Sequence, residues 1–424
     1  MTVKISGKQK FSGTFTVPGD KSISHRSVML GALSKGTTEV TGFLTGEDCL
    51  ATISCFRAMG VYIQQNSTNV TIKGGQLSKP TKTLDVGNSG TTLRLMSGIL
   101  AGQNFTCSIT GDESIQKRPM KRVVDPLALM GAQVSGVYAP VTIEGRPLKG
   151  IKYTLPVASA QVKSAIILAG LFADGETIVA EPTVTRDHTE IMLKYLGANI
   201  KREGNNIIVS KSNLEAKPIA VPGDISSAAF LMAAAAILPD SHIMIKNVGI
   251  NPTRTGIIHV LRRMGVDIKL HNEGVSCGEP IADIEVKSAP LKATIISGAE
   301  IPTLIDEIPA IAAVALFAEG KTIIKDAEEL RVKETDRIQA VAEEFGKFFD
   351  INPIQPQEDG MVVQGGMPLK AAAVSSRGDH RLAMSLSVLG MAVVGDNETI
   401  IENAGCADVS FPGFYQLIQE GGIK

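Results

Sequence analysis

The chain has 424 residues, of which 44% are hydrophobic and 20% charged, and its formal net charge is -1. That length suggests two or three domains of about 100 to 200 residues each. The near-neutral charge, 4% aromatic content and absence of Trp argue against a nucleic-acid partner, which would need a basic face or a stacking platform.

The N-terminus reads MTVKISGKQK and has no apolar signal segment. The longest apolar stretches, such as 228–238, are too short to span a bilayer. Five cysteines, at 49, 55, 107, 277 and 406, form no CxxC pair, and an odd number suits a reduced compartment. The expectation is a cytoplasmic protein with no membrane partner.

Along the chain, VPGDKSISHR at 17–26 recurs as VPGDISSAAF at 221–230, which predicts two homologous halves. Within each half, short helices are predicted to stop at Gly60, Gly131, Gly197, Gly265 and Gly346, because Gly tolerates the positive φ just past a helix end. A sixth copy falls at 418–421. Each repeat also carries an earlier helix rich in Ala, Gly, Met, Leu and Ser, at 27–33, 93–101, 165–172, 228–237, 310–317 and 382–393. A helix apolar on all sides is buried. Strands are predicted after these helices, at 38–40, 105–109, 177–179, 243–245, 322–324 and 399–401.

The predicted class is α/β. Each repeat reads strand, buried helix, strand, outer helix, strand, and three repeats form a domain with its helices inside and its sheets outside. The expected domains are 1–18 with 225–424, and 19–224. Hinges are expected at 17–20 and 221–224, where Pro and Gly stand side by side.

Polar residues precede the buried helices: Asp20-Lys21-Ser22, Asn88-Ser89-Gly90-Thr91, Ser159-Ala160-Gln161, Asp224 to Ser227, Asp306-Glu307 and Asp379-His380-Arg381. If the repeats stack, these helix starts converge on an interdomain cleft, where free N–H groups attract anions. Ordinary capping accounts for each segment taken singly. It does not account for Lys21 or Arg381, since a cation there opposes the dipole and needs an anionic partner. The outer helices are predicted to start near Arg118, Arg186, Arg254 and the run Arg331-Val332-Lys333-Glu334-Thr335-Asp336-Arg337. Taken alone, that run reads as a solvated helix face. Several arginines beside Gly-rich turns suit substrates with more than one acidic group. P-loop, HExxH and GxSxG motifs are absent, and six scattered histidines do not suggest a zinc site. Asp306 and Glu334 are candidates for proton transfer.

Taken in order, the motifs GDKSISHR at 19–26, GNSGT at 87–91 with Arg94, Lys117-Arg118-Pro119, RVKETDR at 331–337 and Asp379-His380-Arg381 resemble those of the 5-enolpyruvylshikimate-3-phosphate synthase family over the full length. The resemblance implies two inside-out α/β domains, a monomer, and transfer of the enolpyruvyl group of phosphoenolpyruvate to the 5-hydroxyl of shikimate 3-phosphate, without metal or cofactor. It also implies a step in aromatic amino acid biosynthesis and a target of glyphosate. It assigns Lys21, Ser22, Arg26, Ser159, Gln161, Arg186, Asp306 and Lys333 to shikimate 3-phosphate. It assigns Lys21, Gly90, Arg118, Gln161, Arg337 and Arg381 to phosphoenolpyruvate, with Asn88, Thr91 and His380 as further candidates. Asp306, Glu334 and Lys21 would be catalytic.

The sequence departs from the best-known bacterial form at Ala160, Leu95, Thr185-Arg186 and Val409, and in these departures it resembles the second sequence class of the family. Arg186 is the candidate to replace a lost phosphate contact. The sister transferase acting on UDP-N-acetylglucosamine usually has a Cys in the loop corresponding to 111–122, and none stands there. A sliding-clamp scaffold would need basic inner helices.

Overall fold

The computed structural model describes residues 1–420, in two compact units. One unit comprises Gly19–Val221 and Val275–Glu279; the other comprises Met1–Pro18, Pro222–Gly274 and Pro280–Lys424. The chain changes unit at Pro18/Gly19 and at Val221/Pro222, within the stretches 17–20 and 221–224, and a short stretch that was not expected, Val275–Glu279, is counted with the Gly19–Val221 unit. That stretch joins the strands Asp267–Ser276 and Glu279–Lys287, and hydrogen bonds tie it down. Ser276 donates to the Ala220 carbonyl, and the Ala220 N–H donates to Cys277 Sγ. Nothing in its composition marks it out, so the sequence offered no signal for it.

The Gly19–Val221 unit contains six helices: α1 (Lys21–Leu33), α2 (Glu47–Ala58), α3 (Gly90–Ala101), α4 (Lys121–Leu129), α5 (Ala160–Gly170) and α6 (His188–Tyr195). The other contains α7 (Ile225–Ile237), α8 (Gly256–Arg263), α9 (Ile308–Ala315), α10 (Arg337–Gly346), α11 (His380–Met391) and α12 (Phe414–Glu420). Odd-numbered helices are the apolar ones. Every residue of α7, ISSAAFLMAAAAI, is buried, as the sequence pattern requires. α7, α9 and α11 pack on one another in one unit, and α3 packs on α1 and α5 in the other.

The described strands form six sheets, three per unit. A typical one orders Lys152–Thr154, Thr177–Ala180, Asn206–Val209 and Ile200–Glu203, with the first pair parallel and the rest antiparallel. The repeat therefore has one strand more than expected, because the outer helix is followed by a hairpin and not by a single strand. The N-terminal strands belong with the C-terminal half. Val3 pairs with Ile401, and Ser12–Thr16 runs parallel to His242–Gly249.

Gly60, Gly131, Gly197 and Gly265 all have positive φ just beyond their helices, as expected. Gly346 does not; it is the last residue of α10, and the Lys347 cap that follows is right-handed. The expected sixth copy is α12, and its Gly421 lies outside the described residues.

A buried hydroxyl chain ties three helices of the Gly19–Val221 unit together. His25 Nδ1 lies 2.7 Å from Thr52 Oγ1, which lies 2.7 Å from Thr92 Oγ1, which lies 2.6 Å from Ser89 Oγ. Burial pushes the His25 pKa down to about 3; Asp48 opposes this, while Lys21 and Arg26 add to it. The folded chain therefore refuses a proton that the unfolded chain accepts near the ordinary value of about 6.5. Stability from this source is complete above that value and falls by up to about 1.4 kcal/mol per pH unit on acidification toward about 3. Urea melts of His25→Gln at pH 7, 6 and 5 should show a shallower loss than the parent protein. Equal slopes would mean that another group dominates.

Candidate active site

In the Gly19–Val221 unit, the polar segments are helix caps. Asp20, Ser89 and Ser159 accept N–H bonds from Ile23, Thr92 and Val162. Lys21, the first residue of α1, forms an ion pair with Asp48 in the first turn of α2. The anionic partner that its position demanded is thus found within the chain.

Arg26 is buried. Its Nε donates to Thr189 Oγ1 at 2.7 Å, Nη1 to the Ser22 carbonyl at 3.0 Å and Nη2 to Ser164 Oγ at 3.0 Å. Burial lowers its pKa to about 10. Glu190, Asp20 and Glu279 pull it upward, and Arg186 pushes it further down. Arg186 therefore brings a second positive charge close to Arg26.

At the start of α3, Gln161 Nε2 donates to Thr91 Oγ1 at 3.0 Å, and Arg94 Nη1 donates to Gln161 Oε1 at 2.6 Å. Asn88 Nδ2 donates to Asp112 at 2.6 Å, and Arg118 Nη2 donates to Asn88 Oδ1 and to Ser114 Oγ, both at 3.3 Å. A Cβ on Gly90 would lie 3.1 Å from Nη1 of both Arg118 and Arg94. Gly90 thus gives two guanidinium groups access to one helix start. Arg94 stands in a recognised motif, but nothing along the chain marks its partner. Its bond to Gln161 spans two repeats.

In the other unit, the run 331–337 is not a solvated helix face. Residues Glu328–Val332 form a 3-10 turn, and α10 begins only at Arg337, capped by Asp336. Of the pairs expected along a helix, Arg337–Glu334 forms, at 2.6 Å; Arg331 instead pairs with Asp336 at 2.6 Å, and Lys333 Nζ lies 3.5 Å from Asp306 Oδ1, outside the run. The outer helices at Arg118, Arg186 and Arg254 likewise start two or three residues later than expected, so each Arg lies in the preceding loop.

Asp306 is the centre of this second cluster. Its carboxylate faces Lys333, Arg337 at 3.3 Å and Arg381 at 4.0 Å, and its side chain is 13% exposed. Arg337 is 2% exposed and also pairs with Asp379, which is fully buried, at 2.8 Å. Burial pushes the Arg337 guanidinium down, but Asp379, Glu334 and Asp306 outweigh it and leave it more basic than usual. Burial raises Asp379, but Arg337 and His380 hold it below the usual carboxylate range. Asp379 also caps α11, accepting from the Arg381 and Leu382 N–H groups. His380 is buried beside it. Arg381 Nη1 donates to the Asp306 carbonyl at 3.0 Å and lies 3.5 Å from Glu307. In the sequence Asp379 stands as a cap and motif residue with no charge partner, because the charge it neutralises arrives from α10.

Among the described residues, no group of three or more His, Cys, Asp or Glu could hold a metal ion, and no helix is long and apolar enough to cross a membrane.

A family model described as EPSP synthase (3-phosphoshikimate 1-carboxyvinyltransferase) matches residues 5–418. The chain belongs to the EPSP synthase family. It is 50% identical over 422 residues to a 3-phosphoshikimate 1-carboxyvinyltransferase of Thermoanaerobacter sp. (strain X514), covering 98% of this chain and 99% of the relative. It is 52% identical over 430 residues to the one from Desulforamulus reducens, covering 99% of each. Among solved structures, the EPSP synthase of Acinetobacter baumannii superposes with TM-score 0.90 at 47% identity, covering 100% of this chain and 98% of that one. The enolpyruvyl transferase NikO of Streptomyces tendae, at 18% identity and TM-score 0.80, covering 98% of this chain and 96% of that one, shares the fold. The motifs at 19–26, 87–91 and 331–337 are thus those of an EPSP synthase, a shikimate-pathway transferase with the two-domain enolpyruvyl transferase fold.

Proposed function

We propose that this EPSP synthase joins the 5-hydroxyl of shikimate 3-phosphate to C2 of phosphoenolpyruvate by addition and elimination. The observation that carries the reading is the Asp306 carboxylate facing Lys333, Arg337 and Arg381. A carboxylate held among cations can take the hydroxyl proton while the same cations receive the acidic substrate. In the first step the 5-oxygen bonds to C2 and C3 gains a proton. In the second step C3 returns a proton, the C2–O bond to phosphorus breaks, and phosphate leaves with the bonding pair. Asp306 and Glu334 exchange these protons, and Lys21 faces both substrates.

Lys21, Ser22, Arg26, Ser159, Gln161 and Arg186 hold shikimate 3-phosphate, and Asp306 and Lys333 meet its hydroxyls. Arg118, Arg337 and Arg381 hold phosphoenolpyruvate, with the backbone at Gly90. Gln161 also faces phosphoenolpyruvate, and Asn88, Thr91 and His380 complete the surroundings. The substrates are small anions handled by a cytoplasmic monomer.

The test is release of inorganic phosphate from phosphoenolpyruvate with shikimate 3-phosphate, and separately with UDP-N-acetylglucosamine, as acceptor. Phosphate should appear only with the former; release only with the latter would overturn the reading.

Gly90→Ala probes the phosphoenolpyruvate side. The new Cβ displaces the flexible ends of Arg118 and Arg94 by a few tenths of an ångström. Weakening a charge-assisted bond by roughly 1 kcal/mol raises KM for phosphoenolpyruvate about fivefold, with kcat largely kept. Glyphosate, an anion assigned to the same subsite, should inhibit the variant less. Equal inhibition of both proteins would remove Gly90 from that subsite.

A further inference from the structure

Behind Arg186 lies a buried ion cluster to which the chemistry above assigns no role. Lys163 of α5 has no exposed side-chain surface, and its Nζ sits 3.1 Å from Glu181 and 2.8 Å from Glu190. Arg202 adds a second cation, 2.7 Å from Glu181 and 3.5 Å from Glu190. Two buried carboxylates are thereby matched by two cations. Burying such a group costs several kcal/mol per ion before pairing, and an apolar cluster of similar shape would serve stability as well. The charges call for another explanation.

Their hydrogen bonds supply one. All three polar groups of Thr185 are engaged by this cluster. Its N–H and its Oγ1 donate to Glu181 Oε2 at 3.1 and 2.8 Å, and its carbonyl accepts from Lys163 Nζ at 3.2 Å. Residues 181–187 contain no helix or strand, so these bonds define the local path of the chain. The next residue is Arg186. Lys163 is also bonded through its backbone N–H to the Ser159 carbonyl at 3.0 Å, two residues before Gln161. One buried lysine on the first turn of α5 thus ties that turn, through its Nζ, to the Arg186 loop. Glu190, which Lys163 neutralises, also acts on Arg26, as does Arg186.

We propose that Lys163 and Glu181 are positioning residues that hold Thr185 so that Arg186 meets, together with Arg26, one anionic group of the substrate. This rests on the proposed function, in which that group is the 3-phosphate of shikimate 3-phosphate. A loop fixed in advance gives a tighter site than one ordered by the ligand, because less freedom is lost on binding.

Lys163→Met would leave two buried carboxylates short of a cation and is expected to fold poorly, so Thr185→Val is the probe. It keeps the side-chain shape and removes one O–H donor. The experiment compares wild type, Thr185→Val, Arg186→Ala and the double variant. It reads kcat, both KM values and the calorimetric Kd for shikimate 3-phosphate, since the chain has no Trp to report by fluorescence. Arg186→Ala should weaken shikimate 3-phosphate about 10- to 100-fold and Thr185→Val about three- to tenfold, with KM for phosphoenolpyruvate and kcat within about twofold. The double variant should match Arg186→Ala alone, because without Arg186 there is nothing left to position. Independent, multiplying effects would overturn the proposal. So would a Thr185→Val protein that melts earlier but binds shikimate 3-phosphate normally, or one that loses both substrates equally. If wild type turns over and Arg186→Ala binds shikimate 3-phosphate normally, the positioning proposal fails and the function stands. If wild type releases no phosphate with shikimate 3-phosphate, the function itself fails.

Discussion

Asp306→Asn should fold as the parent does and lose roughly 10²- to 10⁴-fold in kcat, the usual loss on removing a general base. The amide is nearly isosteric, so the local packing survives. It cannot take the hydroxyl proton. It also removes the negative charge that faces Lys333, Arg337 and Arg381. An incoming anion then competes with one carboxylate fewer, so KM for phosphoenolpyruvate should stay level or fall while kcat collapses. This split separates a proton-transfer role from a purely structural one, in which kcat would survive or both substrates would weaken together. Steady-state kinetics with each substrate varied in turn will read it. Near-normal turnover would remove Asp306 from the mechanism.

Arg337→Met should damage both binding and folding. The guanidinium is the shared partner of Asp379, Glu334 and Asp306, and Asp379 is fully buried. Removing one member of such a buried group leaves uncompensated charge and costs on the order of 3 to 5 kcal/mol. The urea midpoint should fall while the slope of the transition stays the same. Phosphoenolpyruvate should weaken as well, by at least the 1.5 to 3 kcal/mol that roughly corresponds to a charge-assisted bond. Arg337→Lys should restore part of the stability, because a cation returns. It should recover less of the binding, because a single ammonium cannot reach the separate carboxylates that Nε, Nη1 and Nη2 reach now. A stability loss below about 1 kcal/mol for Arg337→Met would show that Asp379 finds another partner and that the cluster is not organised around Arg337.

Much of the fold can be read from local composition. The inner helices are apolar on all sides, and that pattern admits only burial, as the fully buried α7 shows. The stops at Gly60, Gly131, Gly197 and Gly265 follow from backbone sterics, which the residue type alone sets. Gly346 fails the same rule because its helix continues through it. A Gly permits positive φ; it does not require it. The run 331–337 misleads for a related reason. Alternating charges fit a helix face, and Glu334 does pair with Arg337, but Lys333 turns to Asp306 outside the run, and both Lys333 and Glu334 remain outside α10.

The α/β repeat, the internal duplication, the family motifs and the residue types suited to acidic substrates can all be read along the chain. Each of these depends on neighbours along the chain or on a pattern complete within one segment. Which charges meet was settled by the folded structure. Lys21 finds Asp48 on α2, Arg94 finds Gln161 on α5, and Arg337 finds Asp379 at the start of α11. It also decided that Lys163, an unremarkable letter inside an apolar helix, lies fully buried between Glu181 and Glu190. Coulombic and hydrogen-bond partners are set by distance in space and strengthened by exclusion of water, and neither quantity is written in the order of residues along a chain.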